Sequence, residues 1–153
     1  MSVLLTASLS AALPLSAASH VDVVKMRTEN RVNPLGIGTS TPRFSWQITS
    51  DRKGVVQTSY QILVASSREK LDRNEADLWD SGERNSDEQL WIPYQGKALL
   101  SGAQAYWKVR ITTNKGKSEW TEPQLFTIGL LGETKWSGTW IGLEDLQPGE
   151  QKG

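Results

Sequence analysis

The chain has 153 residues, 37% of them hydrophobic, enough to close one core and too few for two full domains. Seventeen basic and seventeen acidic side chains cancel and are mixed along the chain, which excludes a broad electrostatic footprint for nucleic acid or an anionic lipid surface. The absence of cysteine excludes disulfides and thiolate metal sites, while seven tryptophans are an unusual load for this length.

The opening stretch, MSVLLTASLSAALPLSAA, spans residues 1–18, is uncharged, and ends in the small residues Ser16-Ala17-Ala18. It reads as an export signal with its cleavage site, although no Lys or Arg follows Met1 to form the usual basic n-region. The mature protein is therefore expected in the periplasm, at the cell surface or outside the cell. A stable membrane span is not expected, because the run falls short of the ~20 apolar residues needed and is diluted by Ser and Thr.

From His20 the text reads as strands separated by turns. HVDVVKM alternates and is the first candidate strand; VNPLGIGTST then concentrates Pro and Gly before RFSWQI, where Phe44, Trp46 and Ile48 face one way and Arg43, Ser45 and Gln47 the other. The Pro/Gly passage is expected to set the chain path so that Phe44 and Trp46 enter the core in register, since a slip of one residue turns both to solvent. QTSYQILVAS places Tyr60, Ile62 and Val64 on one face and Leu63 and Ala65 on the other. SREKLDRNEADL is polar; Ser67 caps one helical turn there, too short and charged to serve the core.

LWDSG and EQLWIPY are expected to be short edge strands, because Pro93 removes a ladder donor. AYWKVRITT is the strongest strand, with Ala105, Trp107, Val109 and Ile111 on one face, and NKGK forms a hairpin tip before SEWTEPQLFTIGL. About seven strands, regular turn signals and no substantial helix predict an all-β antiparallel sandwich of the immunoglobulin or fibronectin type III kind. Trp46, Trp107 and Trp120 are expected inside it.

Candidate chemistry is sparse. The acidic groups Asp77 and Asp80, Asp87 and Glu88, and Glu144 and Asp145 lie in polar turns, whereas a glycosidase pair must face across a cleft with one carboxyl in a dry pocket. His20 is the sole histidine, so a His-based triad or a two-His metal site cannot be assembled. Gly36-Ile37-Gly38 and Gly116-Lys117-Ser118 lack the remaining residues of a nucleotide loop and read as turns. No catalytic residue, metal or cofactor is expected. Trp79, Trp91 and Tyr94 lie near loops, where an aromatic face stacks on a sugar ring or packs against a neighbouring domain.

Taken together, NPLGIGTSTPRFSWQI, QTSYQILVASS, LWDSG, AYWKVRI, SEWTEPQLFTIGLL and WSGTWIG resemble the amino-terminal region of bacterial α-L-rhamnosidases of glycoside hydrolase family 78, from about Val21 to Gly142. The resemblance implies a fibronectin type III-like sandwich standing before further β-domains and an (α/α)6 catalytic barrel, and carries no catalytic residue onto this chain. It divides the sequence into a signal peptide (1–18), a sandwich (20–130) and a linker into a next domain (131–153), as in a truncated fragment. The fibronectin corner tyrosine falls at Ala105, so its hydrogen bond requires Tyr106 in a shifted register. Trp136 and Trp140 fall in the linker at the implied junction, where at least one is expected to be solvent-accessible.

The expected function is a non-catalytic accessory module of a secreted α-L-rhamnosidase-like hydrolase, with the downstream β-domains and barrel as partners and a rhamnose-containing glycan as the enzyme's substrate. The alternatives are a stand-alone carbohydrate-binding module using Trp79, Trp91 or Tyr94, or a protein-interaction sandwich, for which SEWT offers only a short likeness to the WSxWS element of cytokine receptors.

Overall fold

A computed structural model describes residues 20–132. The signal peptide expected over 1–18 and the linker residues from 133 onward, with Trp136, Trp140, Glu144 and Asp145, lie outside the described residues. Among the described residues nine strands form, more than the approximately seven expected, because four of them are two residues long and too short to carry a periodic pattern.

One sheet has three strands: β1 (Val21–Thr28), β2 (Arg43–Ser50) and β6 (Ile92–Pro93), in the order β1-β2-β6. The other has six: β3 (Gln57–Ala65) and β7 (Gln104–Thr113) at its centre, β4 (Trp79–Asp80) and β5 (Arg84–Asn85) on β3, and β8 (Gly116–Lys117) and β9 (Gln124–Thr127) on β7. All strand pairs are antiparallel.

The core lies between the sheets, where the alternation of each strand delivers it. Phe44 and Trp46 from β2 meet Tyr60, Ile62 and Val64 from β3 and Ala105, Trp107, Val109 and Ile111 from β7. The Phe44 ring sits 4.4 Å from Trp107 and 5.8 Å from Phe126, so one aromatic column crosses both layers. Trp46 Nε1 donates to Gln57 Oε1 at 3.1 Å, and Gln57 Nε2 donates in turn to the Ser86 and Glu88 carbonyls. A buried amide is thus satisfied on both sides, which removes the cost of placing it there.

The Pro/Gly passage does more than steer β2. Ile37 is buried and forms a parallel bridge to Ile128; its N–H donates to Thr127 O at 2.8 Å, and Gly129 N donates back to Ile37 O at 2.8 Å. The loop therefore stitches the small sheet's connection to the end of β9. A Cβ on Gly129 would stand 3.1 Å from the Gly36 carbonyl oxygen, tighter than an ordinary contact, so glycine lets the two backbones pass this closely without a shift. Leu131, at the start of the expected linker, packs against the core, and its N–H donates to Ser101 Oγ.

A second apolar cluster lies on the outer face of the six-stranded sheet. Leu63, Ala65 and Leu71 are buried there, with Ala76, Tyr106 and Trp120 packed against them. Helix α1 (Arg68–Asp72) begins at Ser67, whose hydroxyl accepts from Lys70 N, and ends with Asn74 in the left-handed region at φ 59. Asn74 N donates to Leu71 O and Glu75 N to Lys70 O, the two bonds of a Schellman cap. The helix does serve a core after all, since Leu71 is fully buried. Trp120 is corrected as well: it lies on this outer cluster and not between the sheets, with Arg110 4.4 Å and Lys108 5.1 Å from its ring. Tyr106 makes no corner bond; its hydroxyl accepts from Gln104 Nε2.

Candidate functional site

The five aromatic residues singled out as contact candidates separate sharply. Trp79 and Tyr94 are core residues, 9% and 3% exposed, meeting edge to face at 5.5 Å and both packed near Phe44. Tyr94 OH donates to Lys97 O at 2.7 Å, and burial, with the Asp77 charge, pushes its hydroxyl up to about 12. Gly96 completes this packing, since a Cβ there would fall 2.4 Å from Trp79 Cβ. Neither ring offers a face to a sugar. Trp136 and Trp140 are outside the described residues. Trp91 alone of the five is seen at the surface, 43% exposed.

Trp91 sits on the outer face of the small sheet. In the β2–β6 pair Phe44 stands opposite Ile92, both inward, and Arg43 opposite Pro93, both outward. Trp91 N donates to the outward hydroxyl of Ser45 at 3.2 Å, and the Arg43 guanidinium lies 4.2 Å from the Trp91 ring centroid. Arg43 is itself fixed. Its Nε and Nη2 donate to the two oxygens of Glu29 at 3.0 and 2.8 Å, and its backbone N–H donates to Glu29 Oε1 at 2.8 Å. These hydrogen bonds outweigh burial and hold the Glu29 carboxyl below its usual range. Trp91 occupies the left-handed region at φ 60, a conformation a bulky residue adopts only when its surroundings impose it.

Beside Arg43 and Pro93 a groove of about 730 Å³ opens between the small sheet and the Pro/Gly passage. Glu29, Arg31, Thr39 and Thr41 supply its polar lining, with Pro34 and Leu35 on its apolar wall. Arg31 makes no side-chain hydrogen bond or ion pair among the described residues. Sequence reading placed Arg43 correctly outward but missed Glu29, Arg31 and the groove. The only local signal was the outward register of Arg43, because the β2–β6 pairing that brings Trp91 beside it joins residues far apart in the chain.

Of the acidic residues set aside as catalytic candidates, Asp77 and Asp80 have structural partners. Asp77 accepts from Ser66 N, Ser66 Oγ and Lys70 Nζ; burial opposes its ionisation, but these bonds prevail and hold its carboxyl at about 2. Asp80 accepts from Gln61 Nε2 and Gly82 N. Among the described residues no group of three or more His, Cys, Asp or Glu is arranged to hold a metal ion.

Two face-packed antiparallel sheets define an immunoglobulin-like β-sandwich. The family model described as the Rha78A-like, N-terminal immunoglobulin domain matches residues 23–132, and the chain belongs to that family. It is similar to an α-L-rhamnosidase of Formosa agariphila, 39% identical over 127 residues that cover 82% of this chain and 13% of the relative. The crystal structure of Streptomyces avermitilis α-L-rhamnosidase complexed with L-rhamnose matches with a TM-score of 0.72 and 36% identity, over 77% of this chain and 11% of that one. The α-L-rhamnosidase structure from Dictyoglumus thermophilum matches with a TM-score of 0.71 and 35% identity, over 75% and 13% respectively. The chain thus spans about an eighth of the length of the curated relatives it matches.

Proposed function

We propose that this domain is a non-catalytic amino-terminal accessory module of an exported α-L-rhamnosidase-like glycoside hydrolase. The observation that carries this reading is the family match over residues 23–132, beside an alignment that covers 82% of this chain but only 13% of a rhamnosidase relative. It is supported by the engagement of Asp77 and Asp80 in loop-locking hydrogen bonds instead of facing across a dry cleft. Export rests on the uncharged Leu/Ala run and small-residue cleavage site of residues 1–18. In this role the sandwich adjoins the β-domains and catalytic barrel of the parent enzyme, and rhamnoside cleavage belongs to that barrel.

The test is an assay of the purified chain on p-nitrophenyl α-L-rhamnoside. No turnover above the buffer blank is expected. Turnover that copurifies with the folded chain and is lost on unfolding would overturn the non-catalytic assignment.

A further inference from the structure

We propose that the outer face of the small sheet is a binding subsite for an acidic, carboxylate-bearing oligosaccharide, with Trp91 as its stacking platform and Arg31 as its anion contact. The proposal goes beyond the accessory reading and holds whether or not the parent chain cleaves rhamnosides.

Three independent features meet on this face. The first is a tryptophan that is both exposed and rigidly held: its N–H is bound to Ser45 Oγ, its ring is stacked by Arg43, and its backbone is in the left-handed region at φ 60. An exposed indole is an unfavourable choice for a position that glycine fills without strain, and strain of this sort concentrates at ligand sites. The second is concavity, since the groove of about 730 Å³ begins at Arg43 and Pro93, the residues that also frame Trp91. A chain of sugar rings lying along this face meets the Trp91 ring first and then enters the groove.

The third is charge. Arg27 stands opposite Ser45 on the same outer face, Arg43 lies between the ring and the groove, and Arg31 lines the groove, against the carboxylate of Glu29; Asp22, at the other end of this face opposite Thr49, is paired with His20 Nε2 at 3.0 Å. Glu29 satisfies Arg43, and Arg27 Nη1 donates to Asn30 O, so both are spoken for. Arg31 remains available. Its planar fork matches a carboxylate in two-point contact, and the Thr39 and Thr41 hydroxyls offer partners for sugar hydroxyls. Pro34, Leu35 and Pro93 supply apolar wall against which the C–H faces of a ring pack. An isolated patch of arginines would point equally to other anions, but the adjoining aromatic platform selects a ring-shaped ligand.

The experiment is calorimetric titration of the full chain with tetragalacturonate and, in parallel, with its carboxyl-reduced neutral tetrasaccharide. Saturable binding of the acidic sugar is expected, at least tenfold tighter than that of the neutral one, and it weakens as salt is raised. Trp91→Gly and Arg31→Gln are each expected to weaken binding at least tenfold with unchanged thermal midpoints. Arg31 is an exposed side chain without a hydrogen-bond role, so its variant remains informative if Trp91→Gly should misfold. No binding of tetragalacturonate at 10 mM, equal binding of the neutral sugar, or full binding by both variants would overturn the proposal. None of these results bears on rhamnoside turnover, so the two readings fail separately.

Discussion

The two outer faces of this sandwich carry the same side-chain device with opposite surroundings. On the large sheet, Trp120 lies beside Arg110 and Lys108, half-buried over a small apolar cluster that α1 roofs with Leu71. On the small sheet, Trp91 lies beside Arg43, with no helix above it among the described residues and a strained backbone beneath. Ser118 Oγ and Thr121 Oγ1 accept from Ile111 N and Val109 N, so the segment bearing Trp120 also completes the hydrogen bonding of β7. A tryptophan–cation stack is therefore not informative by itself. What it covers, and whether the backbone pays strain to present it, separates a stabilising lid from a surface shaped for something outside the domain.

The interior sets the scale for both faces. Trp107 is fully buried against Phe44, and Trp107→Ala is expected to cost about 3–5 kcal/mol, enough to exhaust much of a small domain's stability. Urea denaturation checks this; a loss below that of any surface variant would place the core elsewhere. Next in size is the roofed face. Lys108 is buried, its ammonium donates to Leu71 O and to Asn74 Oδ1 at the end of α1, and burial lowers its pKa. Lys108→Met leaves those acceptors without their donor and is expected to cost about 1–3 kcal/mol in the same measurement. An unchanged midpoint would mean that the roof contributes nothing.

How far these distinctions were legible in the sequence depends on the range over which each is encoded. Phe44 and Trp46, the Ala105–Ile111 alternation and the Ser67 cap are local patterns, and the chain obeys them. Trp79 and Tyr94 read as loop-side aromatics because β4 and β6 are two residues each, and their burial comes from Phe44 and from each other across long sequence distances. Trp120 read as a core residue because large aromatics generally are, yet Phe126 fills the place between the sheets and Trp120 closes the outside. The positive φ of Trp91 had no local signal at all, since indole disfavours that conformation and only the Ser45 and Arg43 contacts hold it.

A smaller effect sharpens the roofed side through pH. The Asp77 carboxyl, at about 2 in the folded chain against ~3.9 unfolded, contributes stability that is complete above pH ~4 and is lost as pH falls through about 2. Thermal midpoints between pH 5 and pH 2 should fall further for the parent chain than for Asp77→Asn. Parallel curves would show that the Lys70–Asp77–Ser66 lock is not felt energetically.

The smallest expected change is at Trp91, and it tests the comparison most directly. Glycine there relieves a strain of about 1–3 kcal/mol, offset by about 0.5–1 kcal/mol for the lost stack on Arg43 and about 0.5–1 kcal/mol for glycine's extra chain entropy, so little net change remains. The measurement is paired urea denaturation of Trp91→Gly and Trp120→Ala in the full chain. The expected result is a midpoint close to the parent's for Trp91→Gly, and a loss of about 1–3 kcal/mol for Trp120→Ala, whose ring covers apolar surface. Equal losses in the two variants would contradict the account, because Trp91 would then be a lid like Trp120 and the small sheet's face would have no need of an outside partner.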